Sequence, residues 1–412
     1  MSFRRRLWVS TLVAVCATTF WAGWAQADWN KGVAAYTKKD FATAVKEFQQ
    51  VTKTNPDFAG GYYMLGLAQN QLGQISQALG NLRHAVKLDG KNPQYRTALG
   101  QVLLRAKQYG DAYSVLKAVQ TGSLKSSRAQ TLYALLFSGA ATKTGHIQEA
   151  VRVLQVQIRK HPRNPELYQA LAVAYATVGN DAKAAVAFAK AYQLQPHNLA
   201  LGRSAAYAYI DAGRRTRDPQ QKVTYYTKAA RIGEKLARAR ATFEYELLAG
   251  ESWLGAKQFG RALTFLDQAH AHKPQNALVR FYRGQCYSST NRFNQALTEL
   301  RAALQLGPDS RLRRQIYNQL GYVYAKQKRY DKAMTAYQNA GNSSKAAEMQ
   351  ANLKKQKHNL AAEKERRQFE QKIKALLLQA KELEKLGQVN EAKALRDQVK
   401  ELQKGLKKGP KK

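Results

Sequence analysis

Apolar and small residues along this chain keep a fixed phase. Gly32, Gly66 and Gly100 are spaced by 34, as are Ala44, Ala78 and Ala112. The interval returns at Ala150 and Ala184, Pro162 and Pro196, Gly250 and Gly284, Ala262 and Ala296, and Pro274 and Pro308. A small residue lies 12 before each repeated alanine, as in Gly66 to Ala78, Ala172 to Ala184 and Gly321 to Ala333. Three before the alanine stands an aromatic or branched residue: Phe41, Ile75, Tyr109, Ile147, Phe259, Phe293 or Tyr330. Four after it stands a large apolar one: Phe48, Leu82, Leu116, Leu154, Phe188, Leu266, Leu300 or Tyr337.

Each unit reads as two amphipathic helices folded into a hairpin. Small residues let the two axes approach, and large ones fill the space towards the next hairpin. Pro162, Pro196, Pro274 and Pro308 fall just past the second helix and stop it. Gly73, Gly145 and Gly179 fall in the turn between the helices, where a positive φ is needed. Unrelated amphipathic helices would not keep three residue classes in phase.

The pattern resembles the tetratricopeptide repeat, a helix–turn–helix unit of about 34 residues. The stretch LYQALAVAYATVGNDAKAAVAFAKAYQLQP, from Leu167 to Pro196, carries the resemblance best. It implies an all-α solenoid of about nine hairpins over residues 28–341, wound as a right-handed superhelix, each hairpin stabilised mainly by its neighbours.

The phase slips near Thr121-Gly122-Ser123, near Ser310, and by ten residues near 213–222 (GRRTRDPQQK). Residues 342–412 form a separate basic helical region. From Lys345 to Leu386 there is no glycine or proline, so one long helix is expected. Ala380 and Ala392, 12 apart with Gly387 between, predict a degenerate last hairpin. Lys404 to Lys412 reads as a disordered basic tail.

The N-terminus changes where such a scaffold is expected. Arg4, Arg5 and Arg6 precede a mostly apolar run from Leu7 to Ala22, and Ala25-Gln26-Ala27 offers small residues to a signal peptidase. Residues 1–27 therefore read as a secretory signal peptide cleaved after Ala27. The run is short for an uncleaved anchor, and Val15 before Cys16 does not suit lipoprotein processing. No later stretch is apolar enough to span a membrane. The expected location is periplasmic or cell-surface associated. One cysteine, Cys286, then remains, which is compatible with an oxidising compartment.

Charge adds a second theme. The chain has 412 residues, 67 Lys+Arg and 28 Asp+Glu, a formal net charge of +39. Loss of Arg4, Arg5 and Arg6 with the signal leaves +36. The 44% hydrophobic content excludes a disordered polycation. A basic cluster falls where the repeat pattern breaks: Arg203, Arg214, Arg215, Arg217, Lys222, Arg231, Arg238 and Arg240. Insertions in solenoids often map to a binding face, so this is the candidate anion patch. Nucleic acid is the default partner of a basic protein inside a cell, and the export signal argues against it. Anionic envelope polymers or lipid headgroups are the corresponding exported partners. An acidic habitat, which disfavours carboxylates needed for stability, would give the same balance.

Catalytic signatures are missing: there is no GxxxxGK[ST], HExxH or GxSxG, and one mature cysteine allows no CxxC pair. His270 and His272 do not share a helix face, Glu244 and Glu246 point different ways, and Cys286 reads as a small buried hydrophobe. No metal, no cofactor and no catalytic residue is expected. The reading is a non-catalytic adaptor in the cell envelope that holds protein or peptide partners, within an export or envelope-assembly system. Electrostatic binding of anionic polymers or membrane surface is the alternative. The family resemblance implies a concave groove lined by the first helix of each repeat. The repeat register places Tyr63, Leu67, Asn70, Gln71, Gln101, Arg105, Gln169, Gln285, Ser288, Asn318 and Lys326 on it. The Lys/Asn clamp that some family members use for a carboxy-terminal peptide is not recognisable here.

Overall fold

The computed structural model describes residues 23–407. Those residues form twenty α-helices and no strand. Contacts divide the chain into two compact units, one up to Ala241 and one from Thr242.

The first unit is a stack of six hairpins. They are α1 (Gly23–Thr37) with α2 (Phe41–Thr54), α3 (Ala59–Gln71) with α4 (Ile75–Leu88), and α5 (Pro93–Arg105) with α6 (Tyr109–Lys117). Then come α7 (Ser127–Lys143) with α8 (Ile147–Lys160), α9 (Pro165–Thr177) with α10 (Asp181–Leu194), and α11 (Leu199–Arg215) with α12 (Pro219–Ala239). The second unit holds α13 (Phe243–Gly255) with α14 (Phe259–His272), α15 (Ala277–Ser289) with α16 (Phe293–Gln305), and α17 (Ser310–Lys326) with α18 (Tyr330–Asn339). The long α19 (Ser343–Lys385) and α20 (Val389–Lys407) close it. Nine hairpins precede Gly341, so the chain is an α-solenoid of helix hairpins with a degenerate last one, as the periodicity predicts.

The periodic residues are the core. Ala44, Ala78, Ala112, Ala150, Ala184, Ala262, Ala296 and Ala333 are all fully buried, as are Phe48, Leu82, Leu116, Leu154, Leu266 and Leu300. Opposite Phe48, Leu82, Leu116, Leu266 and Leu300 a glycine makes room. A Cβ on Gly66 would lie 2.7 Å from Leu82 Cγ, and one on Gly100 would lie 2.5 Å from Leu116 Cγ. Helix starts are fixed by side-chain caps. Asn92, Asn164 and Asp218 each accept a hydrogen bond from the second residue of the helix, with proline as the first.

Between the helices of a hairpin the chain passes through the left-handed region. Gly73, Gly145 and Gly179 do so at φ of 78°, 84° and 70°, as expected. Lys39, Lys107, Lys257, Asn291 and Lys328 occupy the same turn position at φ between 57° and 64°. For a lysine this conformation costs about 1–2 kcal/mol.

The ten extra residues near 213–222 do not form a long loop. They lengthen two helices, α11 to 17 residues and α12 to 21, around the short link Thr216–Asp218. The slip at Thr121–Ser123 is a 3₁₀ turn after a short α6.

Two expectations meet the limits of the described residues. Of the signal segment 1–27, only Gly23–Ala27, at the start of α1, is described, and residues 1–22 lie outside. Of the tail expected to be disordered, Lys404–Lys407 belongs instead to α20 and residues 408–412 lie outside. The helix continues there because buried Val399 docks it and Lys404 Nζ pairs with Glu401 Oε1 at 2.7 Å. Among the described residues, no helix is long and apolar enough to cross a membrane.

Candidate functional site

The eleven groove positions behave differently along the array. In the first three hairpins they are used to join neighbouring helices. Arg105 Nη1 donates to the backbone oxygen of Asn70 at 2.6 Å and to its Oδ1 at 3.0 Å, and Asn70 is buried. Gln71 lies by the Tyr36 hydroxyl and is exposed. Tyr63 lies 4.8 Å from Tyr95, ring to ring, and burial pushes its hydroxyl pKa well above the ordinary tyrosine value. Leu67 packs into the same core, and Gln101 is half-buried.

In the second unit, Ser288 is buried, accepts from Gln319 Nε2 at 2.6 Å and donates to the backbone oxygen of Gln285 at 2.9 Å. Asn318 Oδ1 accepts from Asn342 at 3.0 Å, and Lys326 lies over the Tyr322 ring. Asn70 and Ser288 thus do not face an open groove. Register fixes which face a residue occupies, while the neighbouring helix decides whether that face stays open.

One groove residue does face an opening. Gln169 lines a cleft of about 320 Å³ between α7 and α9, with Leu135, Gly139, Lys143, Glu166 and Val173 around it. Ser138, Thr142 and Ala170 complete the wall. The cleft exists because its wall is cut from small residues, and a Cβ on Gly139 would touch nothing within 4 Å. Val173 is 45% exposed, an apolar side chain presented to solvent on a first helix. Lys143 and Glu166 set one cation and one anion at the rim. The arrangement suits an apolar side chain with polar backbone around it.

The α7 residues were missed by sequence reasoning, but their signal was there. Ser138, 12 before Ala150, takes the small-residue place on α7. Applying to it the offsets that single out Tyr63, Leu67, Asn70 and Gln71 gives Leu135, Gly139, Thr142 and Lys143, which all line the cleft.

The anion patch is partly neutralised. Arg215 Nε pairs with Asp181 Oδ2 at 3.0 Å and its Nη1 donates to the backbone oxygen of Gly179 at 3.2 Å, so it ties α11 to the preceding hairpin. Arg214 pairs with Asp211, Arg238 with Glu234, and Arg203 has an interaction of its own. Arg217, Lys222, Arg231 and Arg240 are exposed. Only the Arg215–Asp181 pair links two hairpins, while Arg214–Asp211 and Arg238–Glu234 lie within one helix.

A buried ionic cluster in the second unit was not foreseen. Arg283 Nη1 lies 2.9 Å from Glu299 Oε1, Arg283 Nε lies 2.9 Å from Asp267 Oδ1, and Arg280 Nη1 lies 3.3 Å from Glu299 Oε2. Glu246 is buried with its Oε2 3.2 Å from His272 Nε2, while Glu244 is exposed. Burial, then Arg283 and Arg280, lower the His270 pKa below the ordinary histidine value. Cys286 is buried, and burial pushes its thiol up to about 12, away from the thiolate range of reactive cysteines. Among the described residues, no group of three or more His, Cys, Asp or Glu is placed to hold a metal ion.

Tetratricopeptide-repeat family models match residues 63–123, 254–320 and 315–340, and a model of the bacterial transcriptional activator domain matches residues 120–208. The heat shock protein STI1 of Saccharomyces cerevisiae is 36% identical over 70 residues, 17% of this chain and 12% of that protein. The chain thus spans about an eighth of that relative's length. A tetratricopeptide repeat protein from Parabacteroides merdae aligns over 64% of this chain and 98% of its own, at 14% identity and TM-score 0.42. The C-terminal part of another repeat-containing protein, from Cytophaga hutchinsonii, aligns over 61% of this chain and 97% of its own, at 16% identity and TM-score 0.47.

Proposed function

The chain is a tetratricopeptide-repeat protein, and from that premise we propose that it is a non-catalytic adaptor of the cell envelope whose α7–α9 cleft holds a partner polypeptide. Repeats of this family form protein-interaction scaffolds. The observation that carries the reading is the cleft itself, in which Val173 stands exposed beside open space at Gly139. An apolar anchor of an extended peptide or partner helix would bury Val173, and Gln169, Lys143 and Glu166 would meet the polar groups beside it.

The envelope address rests on Arg4 to Arg6, the apolar run to Ala22 and the Ala25-Gln26-Ala27 site. The α1 residues that pack into the first hairpin's core, Trp29, Val33, Ala35 and Tyr36, all follow Ala27. Cleavage there would leave that core intact. Service to an export or envelope-assembly system extends this reading. The test is the N-terminus of the chain recovered from fractionated cells. The expected result is an envelope-fraction protein beginning at Asp28, and Ala27→Arg should retain the precursor. A chain beginning at Met1 in the soluble interior would refute the address and leave the cleft untouched.

A further inference from the structure

Several acids of the second unit lie within its helices and are engaged there by its bases. Asp267 and Glu299 are engaged by Arg280 and Arg283, and Glu246 by His272. The hairpin turns carry more bases than acids. Residues 255–261 carry Lys257 and Arg261, residues 289–295 carry Arg292, and residues 326–332 carry Lys326, Lys328, Arg329 and Lys332. Asp331 is the single acid in these stretches.

The same construction recurs in each turn. Three after Gly250, Gly284 and Gly321 stand Trp253, Tyr287 and Tyr324, all buried. An arginine lies over each ring: Arg292 at 4.6 Å and Arg329 at 5.0 Å, each five residues after it, and Arg261, inside α14, at 4.8 Å from the ring centroid. Arg292 Nε also donates to Gln295 Oε1 at 2.6 Å and Arg329 Nη1 to Gln327 Oε1 at 3.4 Å, and each guanidinium keeps further N–H groups for a ligand. Seven after those glycines the left-handed position is held by Lys257, Asn291 and Lys328 rather than glycine. The last rung comes from α19, where Gln356 Nε2 donates to the Lys328 backbone oxygen at 3.3 Å and is flanked by Lys354, Lys355 and Lys357. Among the described residues, no carboxylate pairs with any of these cations.

We propose that this turn edge is a docking rail for an extended acidic polypeptide segment. Packed helices are about 10 Å apart, so successive rungs meet an extended chain, at roughly 3.3 Å per residue, every third residue. The notch between two rungs is lined by Asn291, Arg292, Asn294, Gln295 and Gln327; Gln327 Nε2 donates to Asn294 Oδ1 at 3.1 Å, and the remaining N–H groups suit carboxylates. The rail is a narrow row rather than a broad face, unlike a bilayer contact. Its rings Trp253, Tyr287 and Tyr324 are buried beneath arginines and cannot stack a nucleobase or a sugar. This proposal goes beyond the cleft reading, since it uses different helices and needs nothing from Val173.

The test is a fluorescence-anisotropy titration of the full chain with a labelled peptide of about twelve glutamates, long enough to cover the rungs. K257Q/R292Q/K328Q and K354Q/K355Q/K357Q are each expected to weaken binding about tenfold at low salt. R217Q/K222Q/R231Q, in the first unit, should stay within about twofold of the parent chain. The α19 variant alters only solvated side chains, so it keeps the test readable if the turn variant loses helical circular dichroism. Binding unchanged in the α19 variant, or lost equally in the first-unit variant, would overturn the rail. An oligodeoxythymidylate or oligogalacturonate of equal charge that binds about tenfold more tightly than the peptide would overturn the acidic polypeptide as its occupant.

Discussion

Glu299→Ala is expected to destabilise the second unit by about 3–5 kcal/mol. The glutamate accepts from Arg283 at 2.9 Å and from Arg280 at 3.3 Å, and its side chain is 11% exposed. Arg283, 14% exposed, then keeps only Asp267, and Arg280 keeps only its contact with the Pro274 backbone oxygen. The asymmetry decides the size. Forming a buried ion pair gains little, because desolvation offsets attraction, but removing one partner strands the other charge. Urea unfolding followed by circular dichroism at 222 nm, the helical band, measures it. In a stacked array each hairpin leans on its neighbours, so the loss should appear as early melting of this unit. A loss below about 1 kcal/mol would mean that the guanidiniums simply rehydrate, as exposed pairs do.

Gly66→Val should be comparably severe, and Gly80→Ala on the same hairpin should have the opposite sign. A Cβ on Gly66 meets Leu82 Cγ at 2.7 Å and the Ala78 backbone oxygen at 3.1 Å. Leu82 is fully buried and the carbonyl belongs to α4, so neither can withdraw cheaply. Overpacking of this kind costs about 1–3 kcal/mol for small insertions, and valine adds two more methyls, so about 3 kcal/mol or more is expected. Gly80, inside α4, has open space where its Cβ would be. Alanine there gains helix propensity worth up to about 1 kcal/mol. Thermal unfolding of the two variants beside the parent chain separates close approach from mere helix preference. Equal losses in both would contradict the reason given for the 34-residue glycine phase.

The repeat phase made the fold legible because packing repeats with it. In six hairpins the glycine meets the large residue 16 after it, as Gly66 meets Leu82 and Gly250 meets Leu266, so that spacing carries three-dimensional information. The turns were half legible. Gly73, Gly145 and Gly179 announce a positive φ, while Lys39, Lys107, Lys257 and Lys328 adopt it against their own preference and give no sign of it in sequence.

The groove was legible as a face but not as an opening. Asn70 and Ser288, placed on the groove by register, are buried and engaged by Arg105 and Gln319 of neighbouring helices. Those contacts depend on side chains 31 to 35 residues away. Gln169 kept its opening because α7 offers Gly139 and Ser138 opposite it. The ionic cluster around Glu299 had no local signature, since Asp267, Arg280, Arg283 and Glu299 come from three helices.

Cleft recognition is tested most directly by titration of peptides selected from a random library on the purified chain. Their affinities should be compared for the parent chain, V173D and V186D by fluorescence anisotropy. Val173 lines the cleft, while Val186, 56% exposed on α10, does not. A charge in the cleft denies an apolar anchor its burial, worth about 1.5–3 kcal/mol, so V173D should bind about ten to a hundred times more weakly. V186D should bind as the parent chain does. Peptides that bind V173D and the parent chain equally would contradict recognition through this cleft.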